Sequence, residues 1–449
     1  MQNAFSQQRS WRSGKIRKSL KFSFLDGIFA CCMTGLTADY ITPYALVLKA
    51  TARQIGFLSA FPSLAASLVQ LKAADLTERI KSRRKIINSF VFLHALMGIP
   101  IILVPYLFKY QPVLFLIIFV TLFNSFNAVA LPAWSSLMSD HIPYKKRGQY
   151  FGWRNKVLQA VTVGAAFGAG LILHYFKNNI LKGFFIILSL AFICRIISWL
   201  FLRRMYEPAF RFKKEAYFSF FDFIKRIKES NFAKFVIFAA SLTFCVNVAA
   251  PFFSVFMLRD LKFNYVIYTI LVTAVPLAQI FTIGRWGNHA DLVGNVKVLK
   301  FTSFFIASLP FWWIVHQHPL YLVLIQIISG FAWAGFNLCA TNFIYDAVTP
   351  EKRTRCIAYF NVCSGVAVCI GALLGGFLVN ILPPLLGYKI LSLFLISSSL
   401  RFLVVFLFSR KIKEVRPARA VSSRNLFYSV IGLKPISGIT QESRRPLKS

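Results

Sequence analysis

Long uninterrupted apolar stretches constrain the fold of this chain more than any other feature. Residues 90–108 and 183–202 are two examples, and together they carry one charged residue, Arg195. A helix of about 20 residues crosses the roughly 30 Å hydrocarbon core of a bilayer. In lipid the backbone must satisfy its own hydrogen bonds, so such stretches form helices. Twelve of them lie between residues 22 and 409, which predicts an all-α membrane protein with twelve transmembrane helices.

The net charge of +37 would suggest nucleic-acid binding in a soluble protein. Here most of the 52 Lys and Arg lie in the N-terminal arm, in alternate connections between apolar stretches and in the C-terminal tail. This is the positive-inside pattern. We therefore expect both termini in the cytoplasm, a location in the cell inner membrane and contact with anionic lipid head groups. We expect no nucleic-acid partner. The first apolar stretch is too long for a cleaved signal peptide, so we expect it to remain as a span.

The chain contains an internal repeat, because residues 139–155 and 345–361 align without a gap. Transporter folds are often built from such repeats. The sequence therefore predicts two pseudo-symmetric bundles of six helices. The matched pairs are Asp140 with Asp346, Arg147 with Arg353, Asn155 with Asn361 and, further along, Arg195 with Arg401. The predicted divisions are a basic arm (1–21), a first half (22–202), a charged linker with an amphipathic stretch (203–233), a second half (234–409) and a disordered basic tail (410–449).

Two loops carry a resemblance to the major facilitator superfamily. The segment GNHADLVGN, residues 287–295, fits the family's G-x-x-x-D-x-x-G signature at Gly287, Asp291 and Gly294. The equivalent loop of the first half keeps Asp75 and a basic cluster, but has other residues where the glycines would be. The resemblance implies a central cavity between the two halves, lined by helices 1, 4, 7 and 10.

Acidic and basic residues at the cytoplasmic helix ends are candidates for a gate. Carboxylates there can form charge-assisted bonds to arginines only while that side is closed. The alternative is that these charges are solvated and set topology only. The predicted gate residues are Asp75 with Arg79 and Arg83, Asp140 with Arg147, Gly287 with Asp291, and Asp346 with Arg353.

Asp39 is the sharpest candidate for a substrate or coupling residue. It lies inside the first apolar stretch, where a carboxylate costs about 2.5–3.5 kcal/mol on insertion scales. It could carry a coupling proton or hold a cationic group, or it could lie at the external mouth and meet water. Other polar residues within spans could line the cavity or form bonds between helices. They are Asn124, Asn127, Asn247, Gln279, Trp333 and Asn337.

The in-span arginines Arg195 and Arg401 are expected to reach toward the cytoplasmic surface, in lipid-facing or structural roles. No spacing of His or Cys suggests a metal site or a disulfide, and no nucleotide, cofactor or nucleophile motif is present. We therefore expect no enzyme and no cofactor.

The leading interpretation is a monomeric secondary active transporter that moves a small-molecule substrate by alternating access. A proton or solute gradient would drive it. The alternative is a membrane scaffold or sensor that keeps the fold without transporting.

Overall fold

The computed structural model describes residues 2–142, 147–208, 230–349, 352–408, 411–416, 418 and 421–430. Within them twelve helical segments are long and apolar enough to cross a membrane, which confirms the predicted number of spans. The helices of the first half are Gln2–Thr37 and Ile41–Val47 (span 1), Ala52–Ile80 (2), Arg83–Leu96 and Gly98–Leu107 (3), Pro112–His141 (4), Arg147–Tyr175 (5) and Ile180–Leu202 (6). Those of the second half are Asn231–Val255 with a π-helical turn Phe256–Asp260 (7), Tyr265–Val293 (8), Asn295–Val315 (9), Pro319–Ala347 (10), Arg353–Ile381 (11) and Lys389–Phe408 (12).

Short polar residues and a glycine set where several spans begin. Thr51 starts span 2, because its hydroxyl accepts from the backbone N–H of Gln54 while the Gln54 side chain accepts from the N–H of Thr51. Gly294 alone separates spans 8 and 9, with φ of 87°. A side chain there would be strained and would also collide with the Glu414 carboxylate, so this position requires glycine.

The two halves repeat one packing pattern. In the first half span 1 packs on spans 5 and 6, span 2 on span 4, and span 3 on spans 4 and 6. The same pairs, each six spans later, pack in the second half. The predicted arrangement of two pseudo-symmetric six-helix bundles is therefore confirmed.

The apolar core is continuous at one end of the bundle and divided at the other. We call the end at which span 1 begins and span 12 ends the terminal face, and the other end the opposite face. Toward the opposite face one buried cluster contains residues of both halves, among them Tyr40, Phe184, Phe252 and Tyr268. Toward the terminal face each half has a separate cluster, although Leu71 of span 2 also packs against that of the second half.

Hydrogen bonds join the halves near the opposite face. The Tyr40 hydroxyl donates to the Ala166 carbonyl at 2.6 Å and lies 2.7 Å from the Thr269 hydroxyl on span 8. The Tyr268 hydroxyl donates to the backbone carbonyl of Asp39. We refer to these bonds of Tyr40 and Tyr268 as the tyrosine latch. They hold span 1 against span 8.

Spans 2 and 11 stay in contact over much of their length. Near the opposite face Gly56 lies against the backbone of Ala372 and Gly376. Closer to the terminal face the Asn361 amide donates to the Gln70 side chain at 3.1 Å. These two spans therefore form a continuous seam between the halves, to which the tyrosine latch adds a second connection.

The C-terminal tail differs from expectation. We predicted disorder over residues 410–449, of which 431–449 lie outside the described residues, but a helix, Ser423–Val430, packs under the second half at the terminal face. Its Leu426 and Val430 are buried, and its Ser429 hydroxyl lies 2.8 Å from Nε2 of His289. Leu426 and Val430 are four residues apart, so they lie on one face of this helix, and that face packs against the second half. The predicted amphipathic stretch of the linker lies outside the described residues.

Candidate functional site

A cavity of about 500 Å³ opens at mid-depth in the first half. Its walls come from spans 1, 2, 3, 4 and 6, and Pro251 of span 7 contributes from the second half. We expected a cavity between the halves, lined by spans 1, 4, 7 and 10. This cavity instead reaches into the first bundle, where it borders a buried arginine.

That arginine, Arg195 on span 6, organises a polar network that joins four spans. Its Nε donates to Nδ1 of His94 at 2.8 Å, and its Nη2 donates to Oδ1 of Asn127 at 3.2 Å. Its Nη1 donates to the Ser198 hydroxyl at 3.2 Å, and this hydroxyl donates to Oδ1 of Asp26 at 2.6 Å. We call these five residues the Arg195 network.

Some residues of the Arg195 network line the cavity, and others are buried. Arg195, His94 and Asn127 line the cavity, whereas Asp26 and Ser198 are buried beneath them. Because Nδ1 of His94 accepts from a guanidinium, this ring is neutral and carries its proton on Nε2. Asp26 neutralises Arg195 only through the intervening hydroxyl. The cavity wall therefore presents donors and one incompletely balanced positive charge.

Our expectation that Arg195 and Arg401 reach toward the membrane surface is wrong. Arg195 is 6% exposed and Arg401 is 3% exposed. Arg401 donates to the carbonyls of Ile306 at 3.0 Å and Val246 at 3.3 Å, and to the Ser397 hydroxyl. Buried guanidinium groups need such partners, since an unpaired charge in a low-dielectric interior is very costly. Arg401 thus ties spans 7, 9 and 12 together, while its repeat mate Arg195 faces a cavity.

Three predicted substrate or coupling residues lie in the first half. Asn124 and Asn127 line the cavity, and the Asn124 amide also donates to the Val120 carbonyl at 3.0 Å. Asp39 is exposed and lies where the span 1 helix breaks, between Thr37 and Ile41, which both line the cavity. The Asp39 side chain itself does not line it.

The other four predicted residues are on spans 7, 8 and 10 and lie away from this cavity. The Asn247 amide donates to the Thr243 carbonyl at 2.8 Å, and its side chain lies beside Gly371 of span 11. Gln279 is half-buried, and Trp333 packs edge-on against Phe336. Asn337 is exposed. Their part in substrate binding stays a prediction.

At the terminal face the first half carries a buried ionic cluster around Arg83. Its Nη1 lies 2.6 Å from Oδ2 of Asp140, and its Nε lies 3.6 Å from Oε1 of Glu207. Arg83 is 2% exposed. We expected Asp140 to pair with Arg147 and Arg83 with Asp75. The side chains of Asp75 and Arg147 lie outside the described residues, and Arg79 is exposed.

The second half has a matching cluster, in which the tail supplies the arginine. Nη2 of Arg416 lies 2.7 Å from Oδ1 of Asp346, and its Nη1 lies 3.4 Å from Oδ1 of Asp291. The hydrogen bond to Asp346 raises the pKa of Arg416 above its ordinary value. Asn295 also donates to Asp346, at 2.8 Å. We expected Arg353 as the partner, and its side chain lies outside the described residues.

Around Gly287, the remaining predicted gate residue, there is room for a side chain. A methyl group there would meet only Leu338, at 3.8 Å. The residues that sequence reasoning missed are Asp26, His94 and Arg195 as a connected group. Asp26 could have been found, since it is a second carboxylate in the first apolar stretch.

Comparison with known proteins agrees with this architecture. The family model of the Major Facilitator Superfamily matches residues 23–261 and again residues 236–447. A multi-drug resistance efflux pump, PmrA of Streptococcus pneumoniae serotype 4, is 22% identical over 316 residues, which cover 68% of this chain and 76% of the pump.

Solved transporters share the fold. A mutant of the nucleoside transporter NupG superposes with a TM-score of 0.70 at 16% identity, over 88% of this chain and all of NupG. A D-xylose-proton symporter gives 0.65 at 11% identity, over 90% of this chain and 99% of the symporter. With twelve spans in two repeated halves and a family match in each half, the chain is a multi-pass membrane protein that belongs to the Major Facilitator Superfamily of transporters.

Proposed function

We propose that this protein is a secondary active transporter that moves a small solute by alternating access. The observation that carries the proposal is the cavity at mid-depth into which Arg195, His94 and Asn127 project. Ionisable residues within a membrane domain are costly and usually serve substrate or ion pathways. A cavity of about 500 Å³ is within the size range of small-molecule sites.

The donors on the cavity wall define the chemistry of the substrate. A guanidinium and an amide favour a solute with an anionic or a hydrogen-bond-accepting group. The cavity is otherwise lined mainly by apolar residues of spans 1, 2 and 6, which would hold the rest of the solute. Drug export, as in the name of the pneumococcal multi-drug resistance efflux pump, is one use of such a site.

The division of the core supports alternating access. The halves are latched near the opposite face and have separate cores near the terminal face. Rocking of one half against the other would break the tyrosine latch and close the terminal face. The charge asymmetry supports an inner-membrane protein with both termini in the cytoplasm, so the conformation described here would open inward. In this conformation Asp140, Asp291 and Asp346 already bond to arginines of their own halves, so a gate role would require them to exchange these partners when the terminal face closes.

A proton gradient is the energy source that two carboxylates near the cavity favour. Asp26 sits beneath Arg195, and Asp39 lies at the break in span 1 beside the cavity. Protonation of either would change the charge next to the substrate site. Asp39 has no charged partner among the described residues, whereas Asp26 is held through Ser198. Both are proposed as coupling residues.

Flux into liposomes that contain the purified protein tests the proposal. An internal pH dye would report on a panel of sugars, amino acids, nucleosides, organic anions and cationic drugs. We expect a substrate-dependent pH change that is lost in Asp26→Asn or in Asp39→Asn. Exchange of labelled substrate without a pH change would indicate that the protein exchanges solutes and is not coupled to protons. Neither flux nor exchange with any compound would contradict transport and favour the scaffold or sensor.

A further inference from the structure

A second concave site lies at the terminal face, outside the transport pathway. It is a groove of about 780 Å³ between the start of span 9 and the tail helix. Span 9 contributes Lys297, Lys300, Phe301 and Phe304, and the tail contributes Arg424 and Phe427. Nothing in the proposed transport mechanism uses these residues.

The wall formed by span 9 is graded from charged to aromatic. Lys297, Lys300, Phe301 and Phe304 follow the spacing of one helix face. Lys297 is two residues from the start of the span, and Phe304 lies roughly 10 Å deeper at 1.5 Å per residue. Phe304 is 57% exposed on the outer surface of the bundle. The cations are therefore at head-group depth and the rings at acyl-chain depth.

The tail helix also contributes a cation and an aromatic ring, on the other wall of the groove. Arg424 and Phe427 are three residues apart on the tail helix, and both line the groove. The Phe427 ring stacks on Phe305 with centroids 6.1 Å apart and lies 6.2 Å from the Phe301 ring. Each wall thus carries a cation and an aromatic ring three or four residues apart on one helix face.

The charges of the groove favour an anion. Within the described part of the chain Lys297 and Lys300 form no ion pair, and both are half-buried. One carboxylate, Glu414, also lines the groove. Its oxygens accept from the backbone N–H groups of Val296 at 2.7 Å and Val415 at 3.1 Å, so its charge is held by the backbone.

We propose that this groove binds one anionic glycerophospholipid. The phosphate would lie between Lys297, Lys300 and Arg424, and an acyl chain would run along the aromatic wall to Phe304. Basic pockets beside spanning helices are suited to anionic head groups. Since span 9 and the tail form opposite walls, the bound lipid holds the tail helix against the second half.

Thermal unfolding of the purified, delipidated protein in detergent tests this site. Dioleoyl phosphatidylglycerol is expected to raise Tm, while the phosphatidylcholine of equal chain length is not. The Lys297→Gln/Lys300→Gln variant should lose most of that rise. Lys18→Gln/Lys21→Gln is the matched control, because these exposed lysines have the same spacing at the terminal face. It should keep the rise.

A second pair of variants tests the acyl part of the site. Phe304→Ala should reduce the rise, and Phe311→Ala should not, because Phe311 lies seven residues further along the same helix, outside the groove. Native mass spectrometry should show one retained phosphatidylglycerol fewer in the lysine double variant than in its control.

Several results would overturn the proposal. An equal rise in the lysine double variant and its control would show that the lipid acts elsewhere. A rise produced by phosphatidylcholine would show a general acyl effect, and one produced by glycerol phosphate or inorganic phosphate would identify a soluble anion as the ligand. No effect of phosphatidylglycerol on the unaltered protein would mean that another part of the chain or a second copy fills the groove.

Discussion

Glu207 and Glu414 perform the same task in the two halves. Each follows the last span of its half, and each accepts at 2.7 Å from a backbone N–H at the start of the third span of that half, at Arg83 and Val296 respectively. A carboxylate is favoured there by the unpaired N–H groups and the helix dipole. The internal repeat therefore extends beyond the spans to the segments that follow them.

The Glu207→Gln substitution should destabilise the first half. Its carboxylate also approaches the buried guanidinium of Arg83, so the loss is expected to be about 1–3 kcal/mol. Thermal unfolding in detergent measures it. Asp260→Asn is the control, since Asp260 pairs with its exposed neighbour Arg259 and should cost less than about 1 kcal/mol. Equal losses in the two variants would contradict a capping role for Glu207.

The two ionic clusters should differ in strength because their arginines differ in exposure. Arg83 is 2% exposed and Arg416 is 45% exposed. Removing Arg83 takes the cation from Glu207, which is 17% exposed, and from Asp140, which is 45% exposed, so Arg83→Gln should cost about 1–3 kcal/mol. Arg416→Gln should cost less than about 1 kcal/mol. Unfolding at low and high salt checks this, since salt should weaken only the Arg416 pairs. A larger loss for Arg416→Gln would invert the ranking.

Replacing Asp291 distinguishes a gate role of this residue from a structural role. Its carboxylate is 71% exposed and lies 3.4 Å from Arg416, so Asp291→Asn should leave Tm nearly unchanged. A gate residue should still lower the transport rate when replaced, and liposome flux measures that rate. Unchanged flux at an unchanged Tm would leave Asp291 as a solvated loop charge.

The tyrosine latch should control opening at the opposite face. Tyr40→Phe/Tyr268→Phe removes the hydroxyls that bond spans 1, 5 and 8. We expect longer distances between spin labels at Lys109→Cys and His318→Cys, measured in a background without the eight native cysteines. Tyr44→Phe is the control, because the Tyr44 hydroxyl bonds to Ile101 within the first half. A shift of equal size in the control would contradict the latch.

The sequence predicted the spans and the repeat because both rest on local signals. Apolar length defines a span, and the match of residues 139–155 to 345–361 defines the halves. It could not predict the environment of Arg195. In a membrane protein the lipid-facing and the buried faces of a helix are both apolar, so the pattern around Arg195 does not distinguish them. Its partners His94, Asn127 and Asp26 come from three other spans.

Partners at the terminal face are hard to predict from sequence for a related reason. Asp140 and Asp346 lie at equivalent helix ends, and they bond to Arg83, from an earlier loop, and to Arg416, from the tail. Sequence proximity favoured Arg147 and Arg353, whose side chains lie outside the described residues, so those pairings stay predictions. Only the packing of span 3 on span 4, and of the tail under the second half, determines which guanidinium reaches each carboxylate.

We propose that the cavity around Arg195 binds the substrate, and Arg195 and its repeat mate Arg401 allow a direct test. Both are buried and each guanidinium donates three hydrogen bonds within the protein, but only Arg195 lines the cavity. Substrate flux per folded protein in liposomes should fall about tenfold or more in Arg195→Gln, because a charge-assisted bond to substrate is lost. Arg401→Gln should lower Tm but retain that flux. Equal flux in the two variants would contradict the account.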